Sequence, residues 1–292
     1  MFEGVTVALV TPFSSGKVDY GKLEELVAWH VEQGTDAIVP VGTTGESPTL
    51  SHEEHEKVID VVVKAVAGKV KVLAGTGSNS TAEALRLTSH AAKAGADGAL
   101  LVVPYYNKPT QEGLYRHFWT IAQAVKIPLV LYNIPGRTGV NLAPETICRL
   151  AEIETIVGVK EASGDINQTS AILADPKGGR LTVLSGDDSL TLPIMSAGGK
   201  GIISVIANIV PRDMKAMVEA YSSGRVADAA ARHLKMFPLC RAMFVETNPI
   251  PIKTAMKKMG MINGEMRLPL CEMSPANDAK LEKAMRDYGL LN

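Results

Sequence analysis

The sequence predicts an α/β fold, a (β/α)8 TIM barrel with a C-terminal helical extension. Three observations carry that expectation: short β-branched runs alternate with helix-like segments, the alternation yields strand-helix units up to the eighth, and the strand signal vanishes beyond position 224. Strict alternation demands a parallel sheet, because parallel neighbours are joined only by crossovers, and eight units favour closure over an open doubly wound sheet. The 292 residues hold one such barrel, typically about 250 residues, and an appendage.

In order, strands are expected at 5–11, 37–41, 70–75, 98–103, 128–133, 155–160, 181–185 and 201–206. The helices between them are expected near 20–33, 51–67, 80–94, 111–125, 143–151, 165–174, 188–197 and 211–223. Their ends carry local signals. Ser51 with Glu54, and Ser80 with Glu83, have the spacing of a capping box, in which hydroxyl and carboxylate satisfy free N–H groups reciprocally. Gly34 and Gly95 stand where helices should stop. Segments 225–244, 250–259 and 275–288 read as helices of the extension, where Ser274-Pro275 supplies a cap and a first-turn proline and Gly289 a stop. The expected division is a catalytic barrel over 1–224 and a helical domain over 225–292, without a low-complexity linker or internal repeat.

Composition narrows the class. Hydrophobic residues at 46% and charged residues at 21% describe a well-packed globule, and 30 basic against 31 acidic side chains leave a net charge of −1. That balance implies neither a nucleic acid nor an anionic membrane as partner. No apolar run approaches a membrane span, and Met1-Phe2-Glu3-Gly4 lacks the basic start and apolar core of a signal peptide, so the expected location is cytoplasmic. Cys148, Cys240 and Cys271 show no Cys-x-x-Cys spacing and read as reduced core thiols.

In a (β/α)8 barrel the active groups gather at the C-terminal ends of the strands. The run Ile156-Val157-Gly158-Val159-Lys160 ends such a strand on a primary amine. Alternation is expected to point Ile156, Gly158 and Lys160 one way, with Gly158 leaving room beneath the lysine stem. A dehydrated amine there loses its charge readily and becomes the nucleophile that attacks a ketone. Other strand ends offer Gly42-Thr43-Thr44-Gly45, suited to a small carboxylate, and Tyr132, a phenol at the height of Lys160 that can pass protons. Gly75-Thr76-Gly77 lacks the third glycine of a dinucleotide fingerprint, since Ser80 stands in its place, and is rejected as a nucleotide site. Asp187-Asp188 are expected at the start of the seventh helix, where carboxylates favour the dipole. No His-x-x-His, Glu-x-x-His or Asp cluster with ligand spacing stands at a strand end, and a protonated imine on a lysine is itself an electron sink, so neither a metal nor an organic cofactor is expected.

The motifs GTTGES at 42–47, PYYNKPTQEG at 104–113, LYNIPGRTG at 131–139, GVKEASG at 158–164, SGDD at 185–188 and NPIPIK at 248–253 resemble the dihydrodipicolinate synthase family. The resemblance runs from the first strand into the extension. It implies a Schiff-base-forming aldolase-type barrel that condenses pyruvate with aspartate semialdehyde on the route to diaminopimelate and lysine. Position by position, it implies that Lys160 forms the Schiff base and that Thr43, Tyr132 and Tyr106 relay protons, Tyr106 reaching across a tight-dimer interface. It further implies that Thr44 binds carboxylate with Thr43, that Arg137 orients the semialdehyde carboxylate, and that Gly186 and Ile203 line the pyruvate pocket. A dimer of tight dimers is the implied assembly.

Ser47, His52, His55, Asn79, Glu83 and Tyr105 resemble the positions that bind lysine as inhibitor in feedback-regulated members, with Pro48 where some members carry alanine. Other pyruvate aldolases of this superfamily, sialic acid lyases and keto-deoxy sugar acid aldolases, share the lysine, the tyrosine and a glycine-rich loop. Thr43-Thr44, Tyr106 and Arg137 in PGRTG favour the synthase. A non-catalytic barrel that senses a small acid is disfavoured by the complete lysine, tyrosine and threonine set.

Overall fold

The computed structural model describes residues 1–292. Strands β1 (Gly4–Ala8), β2 (Ala37–Val39), β3 (Lys71–Gly75), β4 (Gly98–Val102), β5 (Leu129–Asn133), β6 (Ile156–Glu161), β7 (Thr182–Ser185) and β8 (Gly201–Ser204) pair in parallel with their sequence neighbours. The barrel closes where β8 pairs with β1. Helices α1 (Tyr20–Glu32), α2 (His52–Val66), α3 (Thr81–Ala94), α4 (Gln111–Ala124), α5 (Pro144–Leu150), α6 (Ile166–Ala174), α7 (Thr191–Ser196) and α8 (Pro211–Ser222) follow the strands in turn. The extension adds α9 (Val226–Ala242), α10 (Ile250–Lys258) and α11 (Pro275–Tyr288). Every expected strand and helix is present, and the (β/α)8 barrel is the observed fold.

Differences are local and have local causes. Between β1 and α1 the chain makes an unexpected hairpin, Phe13–Ser14 against Lys17–Val18. Its two-residue loop puts Ser15 at φ 51° and Gly16 at φ 77°, the positive pair of a tight hairpin turn. The capping box at Ser51 and Glu54 is complete. At Ser80 only half forms: the hydroxyl accepts the Glu83 N–H, but the Glu83 carboxylate turns to His52 and Ser78. Ser274 leaves α11 uncapped by its side chain because its hydroxyl donates to Glu246 at 2.7 Å. The expected core placement of all three thiols fails at Cys271, which is exposed; Cys148 and Cys240 are buried.

Phe2, Ala8, Ala37, Val39, Leu73, Leu100, Val130, Tyr132, Leu184 and Ile203 form one buried cluster, the barrel interior. Phe2 lies under β4, where a Cβ on Gly98 would stand 2.6 Å from its ring. The extension shares its core with the barrel: Met236, Leu239, Ile252 and Leu281 join the cluster of Val5, Ile38 and Met214. Each such buried aliphatic side chain contributes about 1.5–3 kcal/mol, so α9 to α11 are anchored by the same apolar burial that closes the barrel. That anchoring brings a loop of the extension over the C-terminal rim.

The face assignment of β6 needs one correction. A register shift opposite Leu129 and Val130 makes Ile156 pair with Leu129 and Gly158 with Val130, leaving Val157 as the extra residue. Ile156 therefore packs in the outer apolar layer, and Val157 packs against the interior. A bulge adds one residue and reverses the alternation before it. Beyond the bulge, Lys160 pairs in register with Tyr132, as two neighbouring strand ends require.

Candidate active site

Lys160 is only 6% exposed. Burial pushes its ammonium down to about 7, opposed by the Asp188 carboxylate and reinforced by the Arg137 guanidinium. Nζ lies 4.1 Å from the centroid of the Tyr132 ring. The glycine that makes room for it is Gly186, not Gly158: a Cβ on Gly186 would stand 3.1 Å from Lys160 Cε. One on Gly158 would instead meet the Thr182 carbonyl oxygen of β7 at 2.7 Å. Gly158 thus serves strand packing.

Tyr132 is buried, and burial raises its phenol above the usual range, with Arg137 and a hydrogen bond to the Thr43 side chain pulling the other way. The phenol keeps its proton at neutral pH. It is equipped to donate as well as accept, with the Thr43 side chain beside it.

The loop after β2 is held in a tight form. Val41 has φ 49° and Glu46 φ 54°, left-handed values that L side chains rarely adopt. Glycines in it and beside it answer backbone crowding: a Cβ on Gly45 of the loop would lie 3.1 Å from the Leu9 carbonyl oxygen, and one on Gly75 at the end of β3 2.5 Å from that of Val41. The N–H groups of Gly45, Glu46 and Ser47 donate within the loop, whereas those of Thr43 and Thr44 donate to no protein group. Two free amides beside two hydroxyls suit a carboxylate. Glu46 is buried and ion-paired with the fully buried Lys253 of α10, which also donates to the Thr11 carbonyl at 3.0 Å.

Arg137 sits on a one-turn helix, Pro135–Thr138, directly after β5. Its guanidinium donates to the Asn248 carbonyl at 2.8 Å, and the Asn248 amide donates to Thr44 Oγ1 at 3.1 Å. Asn248 therefore joins Arg137 and Thr44 from the loop between α9 and α10, and its Oδ1 is buried without a partner. The sequence reading placed it only inside the NPIPIK motif. Phe244 and Val205 are further wall residues it did not single out.

Lys160, Thr43, Thr44, Tyr132, Arg137 and Gly186 line one recess of about 30 Å³. A larger one of about 220 Å³ shares its Gly42, Thr43, Leu100, Tyr132, Ile134 and Arg137 walls and extends to Ser47, Pro48 and Tyr105. Six of the expected site residues are thus gathered. Two are not: Ile203 is buried in the barrel interior and lines neither recess, and Tyr106 is 89% exposed.

Among the residues of the expected effector set, Ser47 and Tyr105 line the larger recess. His52 Nε2 lies 2.5 Å from Glu83, whose carboxylate is held below its usual range by Ser78 and His52. His55 is buried, and desolvation takes its imidazole down to about 4. The Asn79 carbonyl accepts the Asn107 amide at 2.9 Å, next to Tyr106.

The acidic pair after β7 divides its work. Asp187 accepts the Ser189 N–H at 2.8 Å and caps its own helical turn, as a dipole-seeking carboxylate should. Asp188 departs from that expectation. It is buried and crosses to the loop after β8, accepting from the Ser204 hydroxyl at 2.5 Å and the N–H groups of Val205 and Ile206 at 3.0 and 3.3 Å. Burial raises its carboxyl to about 6.

Residues 1–288 match the profile described as the dihydrodipicolinate synthetase family. The chain belongs to this family. The member named 4-hydroxy-tetrahydrodipicolinate synthase from Geotalea daltonii is 56% identical over 291 residues, spanning 100% of both chains. Among solved structures of the family, the chloride-inhibited enzyme of Acinetobacter baumannii complexed with pyruvate is 46% identical, with a TM-score of 0.97 over 100% of each chain. The enzyme of Cyanidioschyzon merolae with lysine bound is 45% identical, with a TM-score of 0.95 over 99% of each chain. As a dihydrodipicolinate synthetase family member of full family length, the chain is an enzyme of the lyase class.

Proposed function

We propose that this family member condenses pyruvate with L-aspartate 4-semialdehyde to 4-hydroxy-tetrahydrodipicolinate, in lysine and diaminopimelate biosynthesis, through a Schiff base on Lys160. The observation that carries the residue-level reading is the buried amine above the Tyr132 ring, in a recess it shares with Thr43, Thr44 and Arg137. The curated relatives of the same length bear the synthase name, which supports the reaction.

The chemistry follows from these groups. The carboxylate of pyruvate binds the free amides and hydroxyls of Thr43 and Thr44, which sets its ketone against Lys160 Nζ. Attack gives a carbinolamine. Tyr132 donates the proton with which hydroxide leaves as water, and Thr43 passes protons onward. The cationic imine, favoured by the nearby Asp188 charge, acidifies the methyl group, and loss of one proton gives the enamine. Its carbon attacks the semialdehyde aldehyde while Arg137 holds the carboxylate in a planar fork.

Tyr106, exposed on one chain, completes the relay from a neighbouring copy, in a dimer that pairs again into a tetramer. Lysine binds the Ser47, His52, His55, Asn79, Glu83 and Tyr105 set as inhibitor, a reading supported by the lysine-bound relative. The barrel over 1–224 carries the chemistry and 225–292 braces it through Asn248, with the enzyme working in the cytoplasm. Coupled turnover of pyruvate and aspartate semialdehyde, with and without lysine, tests this reading. Turnover that lysine depresses is expected; activity on sugar acids alone would transfer the chain to the sugar-acid aldolases.

A further inference from the structure

We propose that Glu161 is a positioning residue for the Schiff-base chemistry: with the buried Asn133 and Gln168, and with Asn141 at its solvent edge, it forms a polar lock behind the barrel wall that fixes Lys160 against Tyr132. The inference rests on Lys160 being the reactive amine. Asn133 and Glu161 are the residues directly after Tyr132 and Lys160, and they are themselves register partners. Alternation turns them to the outer face when the reactive pair faces the interior.

Glu161 is 1% exposed and Asn133 is fully buried. No cation neutralises Glu161. Its carboxylate accepts the Asn133 amide at 3.2 Å, the Gln168 amide at 2.9 Å and the Ser163 N–H at 2.6 Å. Burying a carboxylate on neutral donors alone carries a solvation penalty, and packing does not require it. Val159, the preceding outward residue of the same strand, lies fully buried in the apolar layer.

The donors say what the charge achieves. The Asn133 amide also reaches Asn141 Oδ1 at 2.8 Å, its Oδ1 accepts the Leu142 N–H at 2.9 Å, and Asn141 donates to Gln168 at 2.7 Å. Asn141 and Leu142 lie in the loop just after the one-turn helix that carries Arg137. One carboxylate therefore ties together the tips of β5 and β6, the start of α6 and the loop behind Arg137. Three donors converge on it, so a glutamine at 161 would turn an NH2 group onto another donor. Misplacement of a reacting pair by about 1 Å costs on the order of a hundredfold in rate.

The test is the rate of pyruvate adduct formation at Lys160 under borohydride, with kcat, KM for pyruvate and Tm measured on the same preparations. Glu161→Gln is expected to slow trapping and lower kcat by about tenfold or more with little change in KM. Trapping and kcat at the wild-type level in Glu161→Gln, or a loss confined to Tm, overturns the lock. If Glu161→Gln does not fold, Asn133→Ser, which withdraws the amide from Glu161 and Asn141 and the carbonyl from the Leu142 N–H, is read by the same criteria. A wild-type enzyme that traps no pyruvate at Lys160 overturns the Schiff-base reading instead.

Discussion

The proposed chemistry concentrates in one amine, Lys160, and its burial has two measurable consequences. With the free amine as the proposed nucleophile, kcat/KM for pyruvate should climb as pH rises through about 7, the value to which burial lowers Lys160. A flat profile between pH 6 and about 8 would remove that amine from the rate equation. The same shift affects stability. The unfolded lysine holds its proton up to its ordinary value of 10.5 while the folded one releases it near 7, so the unfolded state binds more protons in that window. The native state is thus penalised in full below about 7, and stability is regained as pH rises towards the unfolded value. Lys160→Met should abolish turnover and yet stabilise the fold by roughly 4 kcal/mol at pH 7, with the advantage shrinking towards pH 10; chemical denaturation across that range reads it. Lys160, Tyr132 and the threonine pair were legible because each ends a recognisable apolar run. Gly186 and Asn248 were legible only through a resemblance, since a Cβ clearance and a hydrogen bond from 204 residues away leave no local pattern.

Elements divide into those that make the barrel and those that tension its rim. The loop after β2 carries two residues with positive φ, Val41 and Glu46, and is clamped by the extension through Lys253 to Glu46 and the Arg267 N–H to Glu46 at 3.2 Å. Lys253→Met leaves a buried carboxylate without its cation, and unfolding measurements should show a loss of about 3–5 kcal/mol. Asn248→Ala removes the amide that holds Thr44 Oγ1 and keeps the backbone carbonyl that Arg137 meets, so it is expected to spare the fold and raise KM for pyruvate severalfold; a change in kcat alone would contradict the bridging role. Strands and helices were legible from periodicity and caps to within a few residues. The hairpin at 13–18 was not, because two-residue strands are too short to show an alternation, nor was the bulge at Val157, a single-residue event in register that hydrophobic pattern averages away.

At the scale of the whole molecule, the proposed relay is not complete within one chain. Tyr106 stands in solvent with φ 70°, and only the resemblance, not any local pattern around it, directs its side chain to a second copy. Mixing separately inactive Tyr106→Phe and Lys160→Ala subunits should therefore restore activity, to about a quarter of wild type, since half of randomly mixed dimers hold one intact site. No recovery after verified exchange would place Tyr106 outside the neighbouring site. The central claim is tested most directly by peptide mass spectrometry after borohydride reduction with pyruvate. A single reduced pyruvate adduct on the peptide containing Lys160 is the predicted result; an unmodified Lys160, or an adduct borne by another lysine such as Lys253, would contradict it.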